Sequence, residues 1–221
     1  MLNAPQDECI ANNSNMMRAL IKKMVSGKTA LYKVVKSGNS VVLTFDDGPH
    51  IENTKKIISI LGQEKIKAVF FMIGREMEKY PELVRLAVEN GHVVAGHGYS
   101  HELITKENIS TELDKTNEII AKITRVRSSL FRPPRGKVTL KLLHYCRARK
   151  TKIILWSLDS EDYRIKDSEE LIARMAKRRI SPGEIILFHD DYSQTVEALP
   201  RIIANIKARG FSFTAVKEFV S

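Results

Sequence analysis

Between residues 41 and 213, short apolar runs alternate with longer stretches whose apolar residues recur at helical spacing. The runs at 41–45, 67–72, 92–95, 130–131, 153–156, 184–188 and 211–213 predict seven buried strands. Helices are predicted between them, over 53–63, 81–89, 108–124, 139–149, 168–179 and 195–209. Pro81 stands where a helix start tolerates proline, and Gly91 and Gly210 stand where helices stop. In 108–124 the residues Ile109, Leu113, Ile119, Ile120 and Ile123 keep close to helical spacing. Strands alternating with helices imply a mainly parallel α/β sheet, either doubly wound or closed as a barrel. The chain carries no internal repeat and no low-complexity tract.

Residues 1–39 have a different texture. Asn12-Asn13-Ser14-Asn15 reads as loop, 16–24 as a short amphipathic helix, and Ser37-Gly38-Asn39-Ser40 as a turn or linker. The expected organisation is an N-terminal extension over 1–39, packed on a main domain over 40–221. The apolar stretch at 16–25 is broken by Arg18, Lys22 and Lys23, so it lacks the continuous core of a secretory signal. No window approaches the ~18 consecutive apolar residues of a membrane span. As it stands the sequence predicts a cytoplasmic or membrane-peripheral protein, or an exported one if a native N-terminus has been removed.

A content of 43% hydrophobic and 28% charged residues is that of a globular protein. The net charge of +10, from 36 Lys+Arg against 26 Asp+Glu, favours anionic partners. Its cations are mostly scattered and no nucleic-acid motif accompanies them, so nucleic acid is not expected. Peripheral contact with anionic membrane or cell-wall polymer is what the basic surface allows. Cys9 and Cys146 form no CxxC pair and read as free thiols.

Open and closed α/β sheets place their chemistry just past the carboxyl ends of strands. In this chain those positions hold Asp46 and Asp47, then His97 and His101, Arg132, Asp159 and Asp162, and finally His189 and Asp190. Titratable groups therefore collect at one end of the sheet. His97 and His101 stand four apart, a spacing that can aim both imidazoles at one ion. Two histidines and one carboxylate make an open metal site with room for water and a substrate oxygen. Zinc is the first expectation for hydrolysis, while cobalt, nickel or iron suit the same donors. Amide hydrolysis also needs a base, an oxyanion stabiliser and an acid for the leaving amine. Adjacent aspartates can divide the roles of ligand and base, and His189 can be the acid if Asp162 keeps it protonated.

Five segments, taken in order, resemble the motifs of the polysaccharide deacetylase family, the NodB-homology group of carbohydrate esterase family 4. They are Thr44-Phe45-Asp46-Asp47-Gly48, His97 to His101, Arg132-Pro133-Pro134-Arg135-Gly136, Asp159-Ser160-Glu161-Asp162-Tyr163 and Leu187-Phe188-His189. The resemblance implies a distorted (β/α)7 barrel and removal of N-acetyl groups from a peptidoglycan or chitin-type glycan. It implies Asp47, His97 and His101 as metal ligands, Asp46 as general base and Arg132 as the group orienting it. His189 would be the general acid tuned by Asp162. The backbone amide of Arg135 would form part of an oxyanion hole, and Trp156 and Leu187 would shape the pocket for the acetyl methyl. Three positions depart from the family pattern: Gly98 stands where Ser or Thr is usual, Tyr163 where Trp is usual, and Arg135 where an aromatic is common. The first removes a side chain that could hold the metal loop, while Arg135 and Tyr163 alter the wall of the substrate cleft.

Other function classes fit less of the pattern. A related metal hydrolase could act on a non-sugar amide with the same groups. A catalytically silent glycan-binding module would not need a complete set of acid, base and ligands. A basic nucleic-acid binder would need neither paired aspartates nor a histidine at the end of a buried strand.

Overall fold

The computed structural model describes residues 29–34 and 38–214. Its nine strands are β1 (Ala30–Leu31), β2 (Ser40–Asp46), β3 (Val69–Met72), β4 (Val93–Gly96), β5 (Leu130–Phe131), β6 (Lys152–Ile154), β7 (Leu158–Asp159), β8 (Ile185–His189) and β9 (Ser212–Phe213). The helices are α1 (Asn53–Gln63), α2 (Gly74–Lys79), α3 (Pro81–Glu89), α4 (Thr116–Thr124), α5 (Leu140–Ala148), α6 (Ser168–Lys177) and α7 (Ser193–Ala208). The strands run in the order β1-β6-β5-β4-β3-β2-β8-β7, with β9 beside the start of β2, and every pairing of strands is parallel. The fold is a curled, parallel-stranded barrel of the distorted (β/α)7 kind, which settles the choice the sequence left open.

The strand period of two decides which residues enter the site. All seven residues of β2 are buried, as expected of a strand covered on both faces. Val41, Leu43 and Phe45 belong to the layer between the sheet and helices α1 and α7, where Phe45 stacks on Phe70 and Phe188 at 5.2 and 5.8 Å. Val42 belongs to the other core, with Val69, Phe71, Ile185 and Leu187. Thr44 and Asp46 are in phase with Val42, and His189 is in phase with Ile185 and Leu187. A buried aspartate and a histidine thus arrive on the same face at the carboxyl ends of adjacent strands, where Asp46 is the register partner of His189.

Two very short strands fill the seam between β6 and β8. Ala30 and Leu31 pair with Ile153 and Ile154, Lys33 bridges Glu184, and the Val34 N–H donates to the Gly183 carbonyl at 2.8 Å. Leu158 and Asp159 pair with Ile186 and Leu187. Residues 29–34, read from the sequence as part of an extension, are therefore a component of the sheet. The expectations for 12–15, 16–24, Cys9 and Ser37 fall outside the described residues.

Each of the seven expected strands is present, with its ends within two residues of the expected ones. Strands β1 and β7 have two residues each, too few to produce a pattern. Helix α2 was missed because only Gly74 and Met77 of its six residues are buried. The helix expected over 108–124 contains a π-helical turn at Thr111–Lys115, a widening that apolar spacing does not reveal. Cys146 is a buried free thiol whose pKa burial pushes up to about 12, which makes it an unreactive core residue. Among the described residues, no helix is long and apolar enough to cross a membrane.

Candidate active site

Asp47, His97 and His101 converge at the carboxyl ends of β2 and β4. Asp47 Oδ1 lies 3.4 Å from His97 Nε2 and 3.2 Å from His101 Nε2, and the three donor atoms lie within 4.8 Å of one another. Asp47 Oδ1 is buried without a hydrogen-bond partner among the described residues. An orphaned buried carboxylate oxygen is costly unless something else satisfies it. His97 Nδ1 lies 2.8 Å from the Arg132 carbonyl, a contact that makes Nδ1 the protonated nitrogen and turns the Nε2 lone pair inward. Burial pulls the His97 pKa down to about 3, so the ring is a neutral donor. One carboxylate and two imidazole nitrogens fit a divalent metal of the zinc type. Asp47 and His101 both have left-handed backbone, with φ of 73° and 66°, a strained conformation that clusters at functional sites.

Asp46 is held apart from this trio. Its Oδ1 accepts a 2.6 Å hydrogen bond from Arg132 Nη1, while Oδ2 lies 3.5 Å from His97 Nε2. Burial raises the Asp46 pKa against the opposing influence of Arg132, which makes the carboxylate a stronger base. Arg132 is fully buried and has little freedom. It donates to Thr44 Oγ1 at 2.9 Å and to the carbonyls of Ile154 and Leu155 at 3.0 and 3.1 Å, and its guanidinium lies 4.1 Å from the Phe71 ring centre.

His189 belongs to a second cluster on the same mouth. Its Nδ1 lies 2.7 Å from Asp162 Oδ1, and its backbone N–H donates to Asp162 Oδ2 at 2.8 Å. Thr195 Oγ1 and the Tyr163 N–H also donate to this carboxylate, at 2.7 and 3.0 Å, so Asp162 is fixed from several sides. Burial would lower the His189 pKa, but the hydrogen bond and charge of Asp162, backed by Asp46 and Asp47, raise it to about 9. The ring is an imidazolium at neutral pH. Tyr163 and Tyr192 pack edge-on against it, at 5.5 and 5.8 Å between ring centres.

The remaining predicted residues sit around these clusters. Trp156 is buried and donates its indole N–H to Asp159 Oδ2 at 3.2 Å. A Cβ on Gly136, whose φ is +63°, would lie 2.7 Å from the Trp156 ring, so the third motif needs glycine there. Leu187 is buried in the same core as Trp156. Tyr163 is exposed beside His189, and the Arg135 side chain is exposed on a residue with φ of 56°. The structure thus brings Asp46, Asp47, His97, His101 and Arg132 together and places His189 with Asp162.

Sequence reasoning assigned no role to Asp190. This buried residue accepts a 2.7 Å hydrogen bond from Thr54 Oγ1 at Oδ2, and its N–H donates to the Asp46 carbonyl at 3.1 Å. A Cβ added at Gly48 would lie 2.1 Å from Asp190 Oδ2. The glycine of the first motif is therefore small because the Asp190 carboxylate packs against it. Gly48→Ala should lower stability by about 1–3 kcal/mol, the usual range for overpacking, read as a fall in Tm. An unchanged Tm would show that the carboxylate can move aside.

Residues 33–154 match the family described as polysaccharide deacetylase. A peptidoglycan-N-acetylglucosamine deacetylase of Bacillus cereus is 33% identical over 183 residues, covering 80% of this chain and 66% of that protein. The peptidoglycan-N-acetylmuramic acid deacetylase PdaC of Bacillus subtilis is 30% identical over 181 residues, covering 80% of this chain and 38% of that protein. The chain thus spans between about two fifths and two thirds of the length of these curated relatives. Among solved structures, the Bc1960 peptidoglycan N-acetylglucosamine deacetylase superposes with a TM-score of 0.81 at 28% identity, over 87% of this chain and 92% of that one. BA3943 of Bacillus anthracis, described as a CE4 family pseudoenzyme, superposes with a TM-score of 0.80 at 26% identity, over 88% of this chain and 69% of that one. The same backbone therefore carries both outcomes, and activity has to be argued from side chains.

Proposed function

Because the chain belongs to the polysaccharide deacetylase family, we propose that it is a metal-dependent hydrolase that removes N-acetyl groups from amino sugars of a peptidoglycan-type glycan, releasing acetate. The observation that carries this reading is the division of labour between neighbouring aspartates. Asp46 is clamped by Arg132 at one oxygen, while Asp47 turns to His97 and His101 an oxygen that has no hydrogen-bond partner among the described residues. The names of the relatives support the glycan class.

A divalent cation, zinc by our reading, held by Asp47, His97 and His101 would acidify a water and polarise the acetyl carbonyl. Asp46 takes the proton of the attacking water through Oδ2, the oxygen that Arg132 leaves free. Arg132 keeps that carboxylate aimed, since its other hydrogen bonds tie it to Thr44, Ile154 and Leu155. The Arg135 backbone amide stabilises the oxyanion. His189 delivers a proton from Nε2 to the departing sugar nitrogen, while its Nδ1 stays on Asp162. The overall balance is N-acetyl amino sugar plus water giving free amine plus acetate. Trp156 and Leu187 line the space for the acetyl methyl, and Tyr163 and Arg135 form the cleft wall.

Acetate release from N-acetylated chitooligosaccharide and from peptidoglycan fragments tests the proposal. Activity should vanish on chelation and return with zinc or cobalt. Full turnover in thoroughly demetallated protein would overturn the metal reading. Glycan binding without acetate release at any metal loading would place the chain with silent members of the fold.

A further inference from the structure

The loop from His97 to His101 has to turn within three residues, and it does so around a glycine. Gly98 has φ +84°, and a Cβ on it would fall 2.7 Å from Glu112 Oε2. That carboxylate accepts hydrogen bonds from the Tyr99 N–H at 2.8 Å, the Ser100 N–H at 3.1 Å and, at Oε1, the Ser100 hydroxyl at 2.6 Å. Glu112 is only 2% exposed, so these contacts replace hydration that it has given up. It lies in the π-helical turn Thr111–Lys115, a device found frequently at functional sites. Its own backbone is tied down as well: the N–H donates to the Asn108 carbonyl at 2.8 Å, and the carbonyl accepts from Thr116 Oγ1 at 2.8 Å.

The opposite side of the loop is held independently. The carbonyls of Gly98 and Tyr99 accept from the N–H groups of Gly74 and Arg75, at 2.9 and 3.0 Å. The polar backbone between the two histidines is thus gripped on its acceptor side by the start of α2 and on its donor side by Glu112. We infer that Glu112 is a positioning residue for the metal site, its carboxylate doing from a distant helix what a side chain at position 98 does not do. The inference rests on the reading of Asp47, His97 and His101 as metal ligands. The grip matters because His101 is left-handed, at φ 66°, and a loosened loop would let it relax away from Asp47.

Zinc affinity, measured by competition with a chromophoric chelator, is the direct readout, with thermal melting recorded alongside. Glu112→Gln keeps the shape but replaces one acceptor oxygen by a donor group. It should weaken zinc binding by about 10–100-fold, the usual cost of losing a supporting contact at a metal site. Gly98→Ala should also weaken it, and by a larger factor with Glu112 present than in Glu112→Ala, since the added methyl meets that carboxylate. Ser100→Ala removes one hydroxyl and should weaken zinc several-fold, which keeps the test open if Glu112→Gln does not fold. Folded Glu112→Gln with a lowered Tm but the parent's zinc affinity would overturn the inference and leave the metal site standing. So would unchanged affinity in Ser100→Ala when Glu112→Gln does not fold. A parent chain that binds no zinc would overturn both.

Discussion

Asp46→Asn should hold metal like the parent chain and yet release acetate about 10²–10⁴ times more slowly, the range typical of removing a general base. The side chain keeps its size, and its oxygen can still accept from Arg132 Nη1, so the buried geometry has reason to survive. What it loses is the ability to take a proton at the position of Oδ2, which faces the metal trio. Asp47→Asn should behave differently. It weakens the only carboxylate of the trio and should lose metal and turnover together. Asp46→Ala is a poorer probe, since it leaves the fully buried Arg132 uncompensated, a loss that typically costs about 3–5 kcal/mol. Metal analysis showing Asp46→Asn empty and Asp47→Asn full would exchange the two roles.

His189→Ala should reduce deacetylation of an N-acetyl sugar by about 10²–10⁴-fold while sparing an activated acetate ester, whose leaving group needs no proton. The pH profile gives a second handle. The His189 pKa is raised from 6.5 to about 9, so the acid form persists through neutrality and activity should fall on the alkaline side as pH approaches 9. Asp162→Asn removes the main influence holding that value up and leaves the opposing effect of burial. The alkaline limb should therefore move to lower pH, with metal content unchanged. Linkage has the same sign: the stability gained from the His189–Asp162 pair is complete below about pH 6.5 and is lost as pH rises through about 9. Equal loss on amide and ester, or an alkaline limb unmoved in Asp162→Asn, would remove His189 from the acid's role.

The strands and the chemistry at their ends were legible for the same physical reason. A strand buried on both faces shows as an unbroken apolar run, and the first polar residue past it marks the mouth. Asp46, His97, Arg132 and His189 each stand at such an end. What the sequence hid lies in relations between distant segments. At Gly98 it suggested a missing support, because the residue at that position was the only one that reasoning could inspect. The support comes instead from Glu112, in another element, and a lone glutamate among Ile109, Leu113 and Thr116 carries no mark of that task. Asp190 was visible beside His189, but its packing against Gly48 depends on a fold that brings the two loops together.

The seam between β6 and β8 has a consequence for the order of events during synthesis. Residues 29–34 leave the ribosome before every other strand of the sheet, yet their partners are Ile153, Ile154, Gly183 and Glu184. That segment must wait as an unpaired edge until residues 183 and 184 have been made. Pairings this far apart in sequence carry a large loop-closure cost and belong to the slow, late part of folding. The ring should therefore assemble from its middle strands outward, with the seam that β1 makes with β6 and with residues 183–184 locking last. Before that last step β6 and β8 present open edges, the feature through which such proteins associate wrongly.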